Sequence, residues 1–165
     1  LKFQRPEVLV EIKELGHIVL YVRDLERSAG FYRDVLGWRQ ILPAPSSDGK
    51  LGDAPVAAFN ASGGRTHHEL LLIGVGEDAA AQPEGRRVGL YHFGLKVGTS
   101  DDELREALAR VTESGTPLLG MSDHVVTHSL YIADPDGNEI ELYVDVPGVD
   151  WESDAIDTPP RPLEL

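Results

Sequence analysis

Two histidines and one glutamate, His17, His92 and Glu141, are the residues of this chain best suited to chemistry. Two imidazoles and a carboxylate converging without thiolates form the facial set used for Fe(II), with positions left open for other groups. The chain contains no cysteine, so His, Asp and Glu are the metal-binding side chains it has to offer. His92 follows His17 by 75 residues, and Glu141 in Glu-Leu-Tyr follows Glu69 in Glu-Leu-Leu by 72. Two polar positions thus recur at nearly one offset. That is the mark of two similar halves, whose pseudo-twofold packing would bring these positions to a common centre. A histidine alone on a strand is more often a packed or surface residue than a ligand; the recurrence is what carries the reading.

The elements that must position these groups follow from pattern. Ile18, Leu20 and Val22 alternate with His17, Val19 and Tyr21, which predicts a strand near 15–23. Asp24 suits a helix N-cap; Leu25, Ala29, Tyr32 and Leu36 recur at helical spacing, and Gly37 can close the helix. Strands are expected at Trp38–Leu42, Val56–Asn60 and His67–Val75, with a loop at Pro43–Pro55. In the second half a strand is expected at Leu90–Val97. Ser100-Asp-Asp-Glu103 is a capping box opening a helix that Gly115 ends. Strands near 117–121, 127–133 and 139–145 complete it, the last two joined through Asp136-Gly137. The expected fold is α+β, with two βαβββ modules forming a curved mixed sheet around a metal-binding cleft. Its parts are an arm at 1–14, a first module at 15–75, a linker at 76–88, a second module at 89–146 and a tail at 147–165 that lies on the surface or against a neighbour. One face of each strand is apolar and packs on its helix. Alternation then places His17, His92 and Glu141 on the opposite face. A buried, unpaired carboxylate there costs several kcal/mol and calls for a cation or a partner.

These strings carry a resemblance. The stretch from Gly16 to Trp38, GHIVLYVRDLERSAGFYRDVLGW, resembles the opening module of the vicinal oxygen chelate superfamily, which takes in glyoxalases, bleomycin-resistance proteins and type I extradiol dioxygenases. The stretch from Ser122 to Tyr143 resembles the closing strands of its catechol 2,3-dioxygenase-like branch. The resemblance spans about residues 15–146 and implies metal ligands at His17, His92 and Glu141. It also implies a fork at His67-His68-Glu69. Glyoxalase-like members place a fourth ligand there, which would be Glu69. Extradiol enzymes place a proton-handling histidine there, which would be His68. In a regular strand the two adjacent side chains point opposite ways. The internal repeat favours Glu69 inward, whereas the likeness to dioxygenase strings favours His68, the reading adopted.

Tyr131 lies ten residues before Glu141, a spacing that resembles that of an extradiol active-site tyrosine, and alternation with Leu130 and Ile132 aims it at the ligand face. His124 stands near a further active-site histidine of such enzymes. The activity implied is a metal-dependent, extradiol-type ring-cleaving dioxygenase acting on a catechol-like diol, with Fe(II) as metal and Mn(II), Ni(II) or Zn(II) as alternatives. A glyoxalase-like isomerase or lyase with four ligands is the rival enzyme reading, and a non-catalytic drug-binding protein of the bleomycin-resistance type is the rival outside enzymes.

Composition narrows the partners. A net charge of −13 argues against nucleic acid and anionic membranes. No apolar run reaches the roughly 20 residues of a membrane span, and no signal-peptide pattern opens the chain. A cytoplasmic location, a small-molecule substrate and a homodimer are the expectations.

Overall fold

The computed structural model describes residues 10–43, 49–150 and 159–165. Most of the expected arm, the middle of the Pro43–Pro55 loop and the tail between 151 and 158 lie outside the described residues.

The first half runs β1 (Ile18–Val22), α1 (Leu25–Gly30), a π turn (Phe31–Val35), β2 (Arg39–Leu42), β3 (Lys50–Leu51), β4 (Ala54–Asn60) and β5 (Leu70–Gly74). The second runs β6 (His92–Gly98), α2 (Asp101–Glu113), β7 (Leu118–Asp123), β8 (Thr127–Ala133) and β9 (Glu139–Asp145), followed by a short β10 (Arg161–Pro162). The strand orders are β1-β5-β4-β2 in one sheet and β6-β9-β8-β7 in the other, with β3 added to β4 and β10 added to β7. In each sheet the first and last strands of the module pair in parallel, β1 with β5 and β6 with β9. Parallel neighbours need a crossover, which is where the helices sit. The repeat seen in the histidines is therefore a repeat of topology.

Local chemistry explains the boundaries. The Asp24 side chain accepts from the Arg27 amide at 3.1 Å and opens α1. The Glu103 carboxylate accepts from the Thr99 amide and the Ser100 hydroxyl, each at 2.8 Å, so the capping box forms. Gly37, Gly115 and Gly137 all take positive φ, as the stops after the helices and the β8–β9 turn require. The first helix departs from expectation. After Gly30 it loosens, and the Leu36 amide donates to the Phe31 carbonyl, five residues back. The bulge lets the consecutive Phe31 and Tyr32 both be buried. The end of the tail also departs: Arg161 and Pro162 pair with Asp123 and Ser122, and Leu163 joins the core.

A single core includes Leu20, Val22, Tyr32, Phe59 and Leu72 from the first half and Phe93, Leu104, Val111, Ile132 and Leu142 from the second. Both sheets thus bury their helix-bearing faces together. Polar ties reinforce the join. The Tyr32 hydroxyl donates to Asp134 at 2.9 Å, and the Ser28 hydroxyl and Arg23 amide donate to Asp136 at 3.2 and 3.3 Å. The opposite faces, which carry the predicted ligands, point away from this core. Val19 and Tyr21 on β1 are 45% and 72% exposed. No helix among the described residues is long and apolar enough to cross a membrane.

Candidate metal centre

His92 opens β6, the edge strand of the second sheet, and register places it beside Glu139 with Gly94 beside Glu141. Tyr131 on β8 faces Glu141 across the next pairing. These residues share the outward face. His92 Nε2 lies 3.4 Å from Glu141 Oε2. The Tyr131 hydroxyl donates to Glu141 Oε1 at 3.2 Å, and His124 Nε2 lies 2.7 Å from that hydroxyl. Because the phenolic proton is committed to Glu141, the network assigns the His124 N–H as donor to the phenol oxygen. His124 reaches Tyr131 from the turn after β7, where the Asp123 carboxylate accepts from the Val125 amide at 2.6 Å and Val125 adopts positive φ. Burial, then the Glu141 charge and hydrogen bond, raises the Tyr131 pKa, so the phenol stays protonated at neutral pH.

The donor set fits a divalent ion. Ligands at about 2.0–2.2 Å from one metal stand roughly 3 Å apart when adjacent, close to the His92–Glu141 separation. His92 Nδ1 is buried without a hydrogen-bond partner, 3.5 Å from Glu139 Oε1. A metal-bound histidine characteristically sets its far nitrogen against such a carboxylate. A Cβ on Gly94 would stand 3.3 Å from the Tyr143 ring and 3.5 Å from Glu141 Oε2, so the glycine leaves the carboxylate accessible. Beside Glu141 lies a hollow of about 490 Å³ walled by Lys96, Val126, Thr127, Tyr143 and Val149. The sequence reading passed over these wall residues, although alternation with Leu142 already placed Tyr143 on the Glu141 face.

His17 is elsewhere. Its ring centroid is 4.7 Å from that of His68 and 5.9 Å from that of His67. Among the described residues, these three are the one group of three metal-capable side chains whose ligand atoms lie within 4.8 Å of each other. One chain therefore keeps His92 with Glu141 and His17 with His67 and His68, and does not gather His17, His92 and Glu141 at one point. The two ligand groups lie on outward, open sheet faces, because the apolar faces bury each other.

His68 and Glu69 have different surroundings. Pairing in β5 begins at Leu70, so His67 and His68 lie in a bend and strict alternation does not govern them. The Thr66 hydroxyl holds that bend, donating to the Gly16 carbonyl at 3.2 Å and to the His68 carbonyl. The Glu69 carboxylate turns back and accepts from the Ala61 amide at 2.8 Å. His68 thus accompanies His17 while Glu69 closes a turn. Burial lowers the His68 pKa, and the neighbouring His67 and His17 rings act in the same direction. His128 sits against α2 with Nδ1 2.6 Å from Asp101 Oδ1. A groove of about 650 Å³ on the helix side touches His17 and Glu69 but neither His92 nor Glu141, so it is separate from the ligand face.

Comparison with known proteins bears on the fold. The family model described as the glyoxalase/bleomycin resistance protein/dioxygenase superfamily matches residues 14–142. A catechol-2,3-dioxygenase of Bacillus subtilis (strain 168) is 38% identical over 144 residues, covering 87% of this chain and 46% of that protein. A lactoylglutathione lyase of Neisseria meningitidis is 29% identical over 131 residues, covering 78% of this chain and 88% of the lyase. A crystal structure of a glyoxylase/bleomycin resistance protein/dioxygenase domain from Frankia sp. EAN1pec superposes with a TM-score of 0.70 at 20% identity, over 84% of this chain and 96% of that one. At that identity the likeness is one of fold. The chain spans less than half the length of the Bacillus dioxygenase.

Proposed function

Given that the chain belongs to the glyoxalase/bleomycin resistance protein/dioxygenase superfamily, we propose that it is an extradiol-type dioxygenase that opens the ring of a catechol-like diol beside its hydroxyls. Fe(II), held by His17, His92 and Glu141, is the proposed cofactor. One observation carries the reading. The carboxylate that would complete a four-ligand, glyoxalase-like site, Glu69, turns its Oε2 to the Ala61 amide, while His68 stands next to His17. The proposed ligands are then two imidazoles and one carboxylate, with His68, His124 and Tyr131 as acid–base and hydrogen-bonding groups around them.

Bound iron would supply a Lewis acid that favours the ionised diol and a path for electrons from ring to dioxygen. The protein's own groups do the rest. Tyr131, kept protonated, turns its hydroxyl proton from Glu141 to a diol oxygen bound beside it and fixes the ring's orientation. His124 holds the Tyr131 hydroxyl in place through its N–H. His68 carries the proton that leaves the diol. The hollow walled by Val126, Val149 and Tyr143 receives the apolar part of the ring.

The test is anaerobic loading with Fe(II), followed by air and a panel of catechols. Yellow ring-cleavage product from at least one catechol is expected. Protein that holds stoichiometric Fe(II) yet yields no such product from any catechol contradicts the proposal.

A further inference from the structure

We propose that His17, His67 and His68 form a zinc site of their own, and that zinc held there withdraws His17 from the iron site and blocks Fe(II) loading. The blocking rests on the proposed function, in which His17 is an iron ligand; the zinc site itself does not.

The three rings stand around one spot. Their centroids are 4.7 Å apart for His17 and His68, 5.9 Å for His17 and His67, and 4.2 Å for His67 and His68. Three imidazoles bound through nitrogen to one tetrahedral ion place their centroids roughly 5 Å apart. Each residue offers a ring nitrogen within 4.8 Å of the other two. His17 and His67 are exposed and His68 is half-buried, so the outer rings can turn through the remaining distance. His67 and His68 are consecutive, and a regular strand would send them to opposite faces. The bend before β5 puts both beside His17 instead. Backbone bonds fix the two segments against each other. The Ile18 amide donates to the Glu69 carbonyl at 2.9 Å, and the Thr66 hydroxyl donates to the Gly16 carbonyl at 3.2 Å and to the His68 carbonyl.

The donor chemistry selects the ion. All three groups are imidazoles, and the adjacent carboxylate, Glu69, turns to the Ala61 amide. Three histidines and one water make a four-coordinate, tetrahedral zinc site. Nitrogen ligands also bind Zn(II) more tightly than Fe(II) in the divalent series. The proposed iron set differs in containing the Glu141 carboxylate. His67 has no task in the proposed mechanism; in the zinc site it is the third ligand. A neutral imidazole has one lone-pair nitrogen to give, so His17 serves one ion at a time. Zinc at this place also takes up His68, the proposed proton carrier.

Zinc titration separates the two sites. Metal-stripped parent, His67→Gln and His92→Gln are titrated with Zn(II) against a chromophoric chelator, and thermal transitions verify that each is folded. Parent and His92→Gln are expected to bind one Zn(II) per chain with equal affinity. His67→Gln is expected to bind it at least about tenfold more weakly, since even disturbing the outer partner of a ligand costs that much. In the unaltered parent, zinc is expected to move the imidazole NMR signals of His17, His67 and His68 and to leave those of His92 and His124 in place. Fe(II) uptake is expected to be lost in zinc-loaded parent and kept by His67→Gln exposed to the same zinc. Zinc affinity unchanged in His67→Gln, or lost in His92→Gln, overturns the inference. So does undiminished Fe(II) uptake by zinc-loaded parent. Zinc-free parent that takes up no Fe(II) overturns the proposed iron site and the blocking with it, and the zinc titration alone then decides the zinc site.

Discussion

Tyr131 lies between Glu141 and His124, donating to the first and lying 2.7 Å from the second. Its role depends on one hydrogen. Tyr131→Phe preserves the ring and its packing but removes the donor. Fe(II) uptake is expected to remain near the parent level, while kcat for catechol cleavage falls about 10²-fold, in the range seen when one well-aimed donor is lost. Parallel metal titrations and steady-state rates check this, and equal loss of both would assign Tyr131 to metal binding instead. Glu69 gives the opposite prediction. Its carboxylate closes the turn at Ala61, so Glu69→Gln should leave Fe(II) affinity unchanged and cost about 1 kcal/mol of stability, read from denaturant unfolding. A marked fall in metal affinity would restore it as a ligand. Alternation in the sequence could not by itself choose between His68 and Glu69. The choice depends on where β5 pairing starts, and the Thr66 hydroxyl and the Ala61 turn set that through bonds no periodicity encodes.

At the scale of elements, polar–apolar alternation was sufficient for β8 and β9, whose observed spans match the expected 127–133 and 139–145. It was also sufficient for α2, where the capping box is a local chemical signal. Ser100→Ala removes the side-chain acceptor for the Glu103 amide and is expected to cost about 1 kcal/mol. A lowered melting temperature with unchanged metal uptake would confirm a purely structural role. The helix matters to the site because Leu104 and Val111 back β6 and β9, the strands that carry His92 and Glu141. Periodicity failed where tertiary packing decided. The π turn exists because Phe31 and Tyr32 are consecutive and both are drawn into the core. The β10 pairing joins residues 161–162 to 122–123 across a gap in sequence that local pattern does not span.

For the whole molecule, the internal repeat was legible from two histidines at one offset, and the two sheets share one strand order. What the repeat could not tell is which faces of the sheets meet. Both faces of each sheet were candidates, and burial of the larger apolar area prevailed, leaving the ligand faces outward. His17 and the His92–Glu141 pair consequently start from separate places in one chain. The central claim, that these three groups share one divalent ion, is tested most directly by anomalous diffraction at the iron edge from Fe(II)-loaded crystals. The account predicts one peak per chain, within coordination distance of His92 Nε2, a Glu141 oxygen and a His17 nitrogen. A peak held by His17, His67 and His68 alone, with His92 and Glu141 unliganded, would contradict it.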